Sequence, residues 1–350
     1  MGTASVCRLA LALALLLAAA VPASARAAAG GRIAYVTYPS ETVWTSTLSG
    51  AERVNLGAGG SPLVAPNGML LALVPQGARV TPFEGAALEL LTGGGAAGAQ
   101  AGEAGVQELQ PLAFSPDSRY LAVSISTFDS QGVAVPTGVG VLETATGTLT
   151  TIAKGVSTGA SFNPNGSDEL VYGTASSQQL SARANLFIWS PGGGSHQITT
   201  DGRSLRPVWG PRYIAYAHER MRRLWGPVTQ IWLRTLTAPG RALTHLPVNE
   251  LQGGVFPVAF SQSGARLLGN FGGEDLDETW VFDLPSGRAR RLGVHRDTLV
   301  APVGISADGS TVMVDATLGA GSPESVYTEP ATGGAPRLIV AHATEASWSE

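Results

Sequence analysis

Residues Ala113-Phe114-Ser115-Pro116-Asp117-Ser118, followed by Tyr120-Leu121-Ala122-Val123, decide the fold. In such a turn proline presets φ at roughly −65°, Asp or Asn bonds its own backbone, and glycine accepts positive φ. The turn reverses one strand directly into the next. The same order of residue types recurs as Val64-Ala65-Pro66-Asn67-Gly68 before Met69-Leu70-Leu71-Ala72-Leu73, and as Ser161-Phe162-Asn163-Pro164-Asn165-Gly166 before Leu170-Val171-Tyr172. Three further copies are Val208-Trp209-Gly210-Pro211 before Tyr213-Ile214-Ala215-Tyr216, Ala259-Phe260-Ser261-Gln262-Ser263-Gly264 before Arg266-Leu267-Leu268, and Gly304-Ile305-Ser306-Ala307-Asp308-Gly309 before Thr311-Val312-Met313-Val314.

Each copy leads into a second hairpin. Its first strand is aromatic or β-branched, as in Leu186-Phe187-Ile188-Trp189 and Thr279-Trp280-Val281-Phe282, and a glycine turn such as Gly192-Gly193-Gly194 or Ser286-Gly287 follows. Four strands per repeat is the blade of a β-propeller. Successive key positions 65, 114, 162, 209, 260 and 305 lie 45 to 51 residues apart. A further key residue, Trp348, comes 43 residues later and ends the chain before its turn. The continuation stands at the other end, where Arg32-Ile33-Ala34-Tyr35 matches Tyr213-Ile214-Ala215-Tyr216. The expectation is therefore an all-β, seven-bladed propeller of four-stranded antiparallel blades, against six or eight, closed by a C-terminal strand that joins the N-terminal blade. Such closure removes the sheet edges that invite aggregation. The recurring aromatics Phe114, Phe162, Trp209, Phe260 and Trp348 are expected to pack between blades.

The motif Phe114-Ser115-Pro116-Asp117, with its alternating strand and Thr146-Gly147 turn, resembles the WD40-like (PD40) propeller repeats of TolB-like periplasmic proteins. The resemblance covers about residues 31 to 350. It implies a propeller in an exported protein and implies no activity. TolB carries an α/β domain ahead of a six-bladed propeller, whereas here the repeats begin almost directly, so TolB's role in envelope complexes does not carry over.

The N-terminus reads as a secretory signal: a short start bearing Arg8, an apolar run from Leu9 to Ala20, and a small-residue site at Ala23-Ser24-Ala25. Residues 1–25 are expected to be removed, leaving 26–350 as one propeller domain, secreted or periplasmic and not inserted in a membrane. The single cysteine, Cys7, precedes the apolar run, where a lipoprotein cysteine would follow it. Packing alone must then hold the exported part, which is feasible at this size. Charged residues are 14% of the chain and the net charge is −4, which lacks the basic footprint of a nucleic-acid binder. The 45 glycines and 22 prolines suit many short strands and turns.

Motifs with chemical meaning are few. Gly155-Val156-Ser157-Thr158-Gly159 fits the nucleophile pattern G-x-S-x-G, but that chemistry needs a strand-to-helix turn with a histidine and an acid nearby; a structural turn is expected. Gly93 to Gly98 fits a dinucleotide fingerprint only through low complexity, since residues 93–105 hold 11 glycines or alanines in 13; a hairpin loop is expected there. The five histidines, His196, His218, His245, His295 and His342, show no metal-ligand spacing. Only His218, at the end of a second strand, is placed near the channel mouth. Glu274-Asp275-Leu276-Asp277-Glu278 gathers carboxylates in a loop, with Asp275, Asp277 and Glu278 as candidate calcium ligands, although the spacing of a calcium loop is missing and a solvated loop is the better reading. The matching loop of the preceding blade, His218-Glu219-Arg220-Met221-Arg222-Arg223-Leu224-Trp225, carries residue types enriched at interface hot spots. His218, Arg220, Arg222, Arg223 and Trp225 are the candidate partner-binding residues.

The connections between second and third strands vary most, and variable loops on a rigid frame are where recognition concentrates. The function expected is a secreted, non-catalytic scaffold that binds a protein or glycan through the loops of one face, with no catalytic residue and no cofactor. Two alternatives stand beside it: a polysaccharide-active lyase or hydrolase with its site at the channel mouth, and a structural component of a cell-envelope complex.

Overall fold

A computed structural model describes residues 31–68, 70–75, 88–92, 100–101, 108–128, 134–177, 183–222, 226–245, 253–273, 276–293, 298–318 and 323–349. They belong to one compact unit, Gly31–Glu350. The signal read over 1–25, most of the low-complexity stretch, Asp275, Arg223, Trp225 and His295 lie outside them.

The described residues are all strand, turn and coil, without a helix. Strands β1 (Arg32–Thr37), β2 (Thr42–Thr47) and β3 (Val54–Val64) form a meander. The long β3 serves two sheets: its first half pairs with β2, and Gly59 to Val64 pair with β4 (Leu70–Pro75), which continues to β5 (Leu88–Thr92) and β6 (Gln100–Ala101). The next four-stranded set is β7 (Glu108–Phe114), β8 (Tyr120–Phe128), β9 (Ala134–Glu143) and β10 (Thr148–Lys154); then come β11 (Val156–Phe162), β12 (Leu170–Ala175), β13 (Ala184–Ser190) and β14 (Gly194–Gln197). Two further sets are β15 (Ser204–Trp209), β16 (Ile214–Arg222), β17 (Gly226–Arg234), β18 (Arg241–Ala242), and β19 (Gly254–Phe260), β20 (Arg266–Gly273), β21 (Leu276–Asp283), β22 (Arg288–Arg291). A single parallel bridge, Thr229 to Gly254, joins these two sets. Strands β23 (Thr298–Ile305), β24 (Thr311–Leu318), β25 (Ser325–Pro330) and β26 (Arg337–Val340) follow. Finally β27 (Ala343–Ser349) pairs antiparallel with β1, placing Trp348 opposite Ile33 and Ser347 opposite Ala34.

The strands' near-continuous apolar runs have a packing reason. Side chains alternate between the two faces of a strand, and here each face meets a different neighbouring set. Ala34 and Val36 of β1 pack with Val64 and Leu71, whereas Ile33 and Tyr35 pack with Met313, Val326 and Val340. Leu121 and Val123 of β8 meet Ala65 and Ala72, while Ala122 meets Phe162 and Leu170. Val171 meets Trp209 and Ile214. Ala215 and Ile231 meet Val255 and Leu267, and the adjacent Leu268 turns to Val312 and Val314. Every apolar cluster among the described residues thus lies between two consecutive sets, a propeller-like arrangement of four-stranded sheets. The first strands also contact one another in succession, β3 to β7, β7 to β11, β11 to β15, β15 to β19, β19 to β23, β23 to β27, and β27 to β3. Phe114, Phe162 and Trp209 are buried between sets; Phe260 and Trp348 are partly buried there.

First strands share a feature the repeat pattern did not announce. Each loses register near its middle, between Gly60 and Leu63, Pro111 and Ala113, Ser157 and Gly159, Leu205 and Val208, Pro257 and Ala259, Pro302 and Gly304, and opposite Ala34 to Val36 in β27. Proline cannot donate to a ladder and is tolerated at a bulge; Pro62, Pro111, Pro207, Pro257 and Pro302 occupy these places.

Candidate functional site

In an antiparallel meander, alternate connections fall at opposite ends. The first-to-second-strand turns occupy one end of the sheets, and the second-to-third connections and the set-to-set passages occupy the other.

The turn end is closed by repeated hydrogen bonding. Gly68, Ser118, Gly166, Gly264 and Gly309 each donate their N–H to the carbonyl three residues back. The Ser115 hydroxyl donates to Asp117 Oδ1 (2.6 Å) and accepts the Tyr120 N–H (2.9 Å), while Asp117 accepts the Arg119 N–H (2.9 Å). Ser306 and Asp308 repeat this arrangement with Thr311 and Ser310. Asp117 is held below its usual pKa: burial pushes it up, and the Ser115 hydroxyl and Arg119 N–H outweigh that. Asp308 is pulled to about 2, first by its hydrogen bond from Ser306. Turns also bond across sets, Asn67 N–H to Ser118 Oγ and Gln262 N–H to the Ala307 carbonyl. Their polar groups are therefore largely committed within the protein.

The other end carries the candidate partner-binding residues, and two expectations are corrected here. His218 to Arg222 were expected in a loop, but β16 runs through Arg222, so only 223–225 separate it from β17. Likewise β20 and β21 leave only 274–275 between them, so Asp277 and Glu278 lie in a strand. The physical reason is the same in both: ladder pairing extends through polar residues once the neighbouring strand is fixed. Being consecutive in β21, Asp277 and Glu278 point to opposite faces. Asp277 accepts from the Asn270 amide (3.1 Å), whereas buried Glu278 pairs with Arg291 (3.0 Å) and accepts the Trp280 indole N–H (3.0 Å). Among the described residues no three His, Cys, Asp or Glu side chains gather as a metal group.

His218 is half-buried. Its Nε2 lies 3.3 Å from Asp201 Oδ2, and its ring stacks on Trp232 at 4.1 Å between centroids. Burial lowers its pKa, and Asp201 works against that shift. Tyr216, two residues earlier on the same face, is pushed up to about 12 by burial and by the Asp201 charge. Asp201 also accepts the Arg203 N–H (2.9 Å) and the Ser204 hydroxyl (3.0 Å), which fixes the passage into β15. His218 thus fastens one set to the passage from the preceding one, through an Asp201 that no local pattern announces. Arg220 is exposed, and Arg222 ends β16. His196, His245 and His342 are exposed. Gly155 to Gly159 is not the expected turn: only Gly155 separates β10 from β11, and Ser157 lies within β11, where its hydroxyl accepts the Gly159 N–H (3.3 Å).

Large apolar side chains are exposed at both ends: Tyr38, Val135 and Leu299 at this one, Val54, Leu236 and Leu338 at the turn end. Apolar exposure therefore does not distinguish the ends. Their connections do, because the segments between second and third strands range from two residues at 274–275 to twelve at 76–87.

No family model matches the chain, and no curated protein matches it. Solved structures do. The β-propeller domain of the Trilobed protease from Pyrococcus furiosus is 13% identical, over 86% of this chain and 90% of that one, with a TM-score of 0.62. These strands form a β-propeller fold. TolB from Acinetobacter baumannii is 14% identical over 91% of this chain and 66% of its own, at a TM-score of 0.52. A prolyl endopeptidase is 14% identical over 90% of this chain and 49% of its own, at 0.63. The chain thus spans about half the length of that endopeptidase. Identities this low speak for the fold alone.

Proposed function

We propose that the chain is an exported, non-catalytic, seven-bladed propeller that holds a protein or glycan partner on the face of its second-to-third-strand connections. The contrast between the two ends carries this reading. One end presents short, alike turns whose donors and acceptors serve the fold; the other presents connections that differ from set to set in length and charge, on a rigid frame. The seven-membered ring is supported by the succession of first strands returning from β23 through β27 to β3, and by an apolar cluster between each consecutive pair of sets. Export rests on the signal pattern of residues 1–25.

The test uses the absence of cysteine after Cys7. Tyr38→Cys, Val135→Cys and Leu299→Cys place a photo-crosslinker on the proposed face, and Asn67→Cys, Asp117→Cys and Asp308→Cys place it on the turn end. Incubated with envelope protein and glycan fractions, the first set should give one recurrent adduct and the second none. Equal labelling from both ends, or no adduct from the first, would contradict the reading.

A further inference from the structure

Three bulged first strands place a non-glycine residue in the left-handed region at the same step of the repeat: Ser61 (φ 49°), Arg206 (φ 49°) and Glu345 (φ 51°). At Glu345 the side chain is committed, since its Oε2 accepts the Ser61 N–H on the next first strand at 2.5 Å. Arg206 also reaches the next first strand, but differently. Its guanidinium lies over the Phe256 ring of β19, 4.2 Å from the centroid.

That contact is to an aromatic face and is not a hydrogen bond. Arg206 makes no ion pair and donates no side-chain hydrogen bond among the described residues. A guanidinium carries five N–H donors in a fixed plane, and stacking on an aromatic ring holds that plane in place. The residue is exposed on one side, yet the surrounding protein desolvates it and lowers its pKa, with no carboxylate among the described residues opposing the shift. A cation so placed gains from an anion more than a freely hydrated one would, and a planar fork matches a carboxylate or phosphate with two parallel hydrogen bonds.

We infer that Arg206 and Phe256 form an oxyanion site on the axial wall of the propeller, taking the carboxylate or phosphate group of a small ligand. The axial placement rests on the ring proposed above, because β15 and β19 are first strands. The site itself needs only their contact.

The test is a titration of the mature chain with inorganic phosphate and, separately, with acetate at physiological ionic strength, followed by the arginine Nε–Hε resonances in NMR. One arginine resonance should shift saturably with at least one anion, and which anion acts identifies the group preferred. Arg206→Ala should abolish the response. Arg206→Lys, which keeps the charge but loses both the fork and the reporting resonance, is followed instead by the Phe256 backbone N–H resonance and should bind the anion about tenfold or more weakly. Phe256→Leu should weaken it while the melting temperature shows the variant folded. No saturable shift with either anion, or an Arg206→Ala variant that titrates like the wild type, would overturn the inference. Cysteines linked across β1 and β27 report on the ring independently. A closed ring without an anion response sinks this inference alone, and an open ring sinks the reading beneath it.

Discussion

Ile33 and Trp348 are register partners across β1 and β27, so the two ends of the compact unit share one sheet. Around this pair gather Tyr35, Met313, Val326, Val340 and Ala343, drawn from both sides of the junction. Trp348→Ala removes a large aromatic from this cluster and should cost about 3 kcal/mol, the lower end of the range for such truncations because the ring is only partly buried. The Trp348 Nε1–H is buried without a hydrogen-bond partner among the described residues. Trp348→Phe should therefore cost clearly less, since losing an unsatisfied donor offsets part of the lost contact. Urea unfolding of the two variants measures both, and an equal loss in each would refute the role given to the indole N–H.

Asp315 of β24 faces the bulge of that closing strand. Its Oδ2 accepts the Ala346 N–H (3.1 Å), while its Oδ1 is buried without a partner among the described residues. Burial raises its pKa to about 7; the Ala346 and Glu345 N–H groups oppose this, and the Glu324 and Glu345 carboxylates reinforce it. A raised folded-state pKa means that the folded chain keeps a proton the unfolded chain has released. This contribution to stability is complete below about pH 4 and is lost as pH rises to about 7, on the order of a few kcal/mol. Asp315→Asn should flatten the wild-type decline across that window and should be the more stable protein at pH 8. Parallel stability–pH curves for the two proteins would remove Asp315 from the account.

The turn glycines separate backbone from contact effects. Gly166 (φ 80°) and Gly264 (φ 69°) both sit in the left-handed region. Among the described residues a Cβ at Gly166 would meet nothing within 4 Å, whereas one at Gly264 would approach Pro211 to 3.1 Å. Gly166→Ala should cost about 1–2 kcal/mol from the backbone alone, and Gly264→Ala more. Thermal unfolding that ranks them in the reverse order would show that the turns do not set this cost.

What could be read from the sequence follows from where the determining forces are local. The turn at Ser115 to Ser118 is legible because proline and aspartate fix turn geometry within four residues, with Ser118 (φ 62°) in the left-handed position that glycine takes in other copies, and the split between Trp348 and Ile33 follows from the interrupted repeat. The bulges went unread although Pro111, Pro257 and Pro302 stand at one step of the repeat, three residues before the key position, and a proline inside a first strand demands a break in the ladder. The clusters that contain His218 and Glu278 read as loops because charge clusters imitate loops. Their partners, Asp201 and Arg291, come from other elements, and no local pattern announces them. Arg206 belongs to this class as well, because its meaning depends on Phe256 in the next set.

The most direct measurement is a pair of cysteines at Arg32→Cys and Ser349→Cys, register partners at one end of the β1–β27 pair. Under mild oxidation of the folded, mature chain, a closed ring gives a near-complete internal link, seen as a faster band without reductant, and a higher melting temperature. Arg32→Cys combined with His342→Cys, beyond the opposite end of the pair, should stay unlinked. Failure of the first pair to link, or equal linking in both, would contradict the closure.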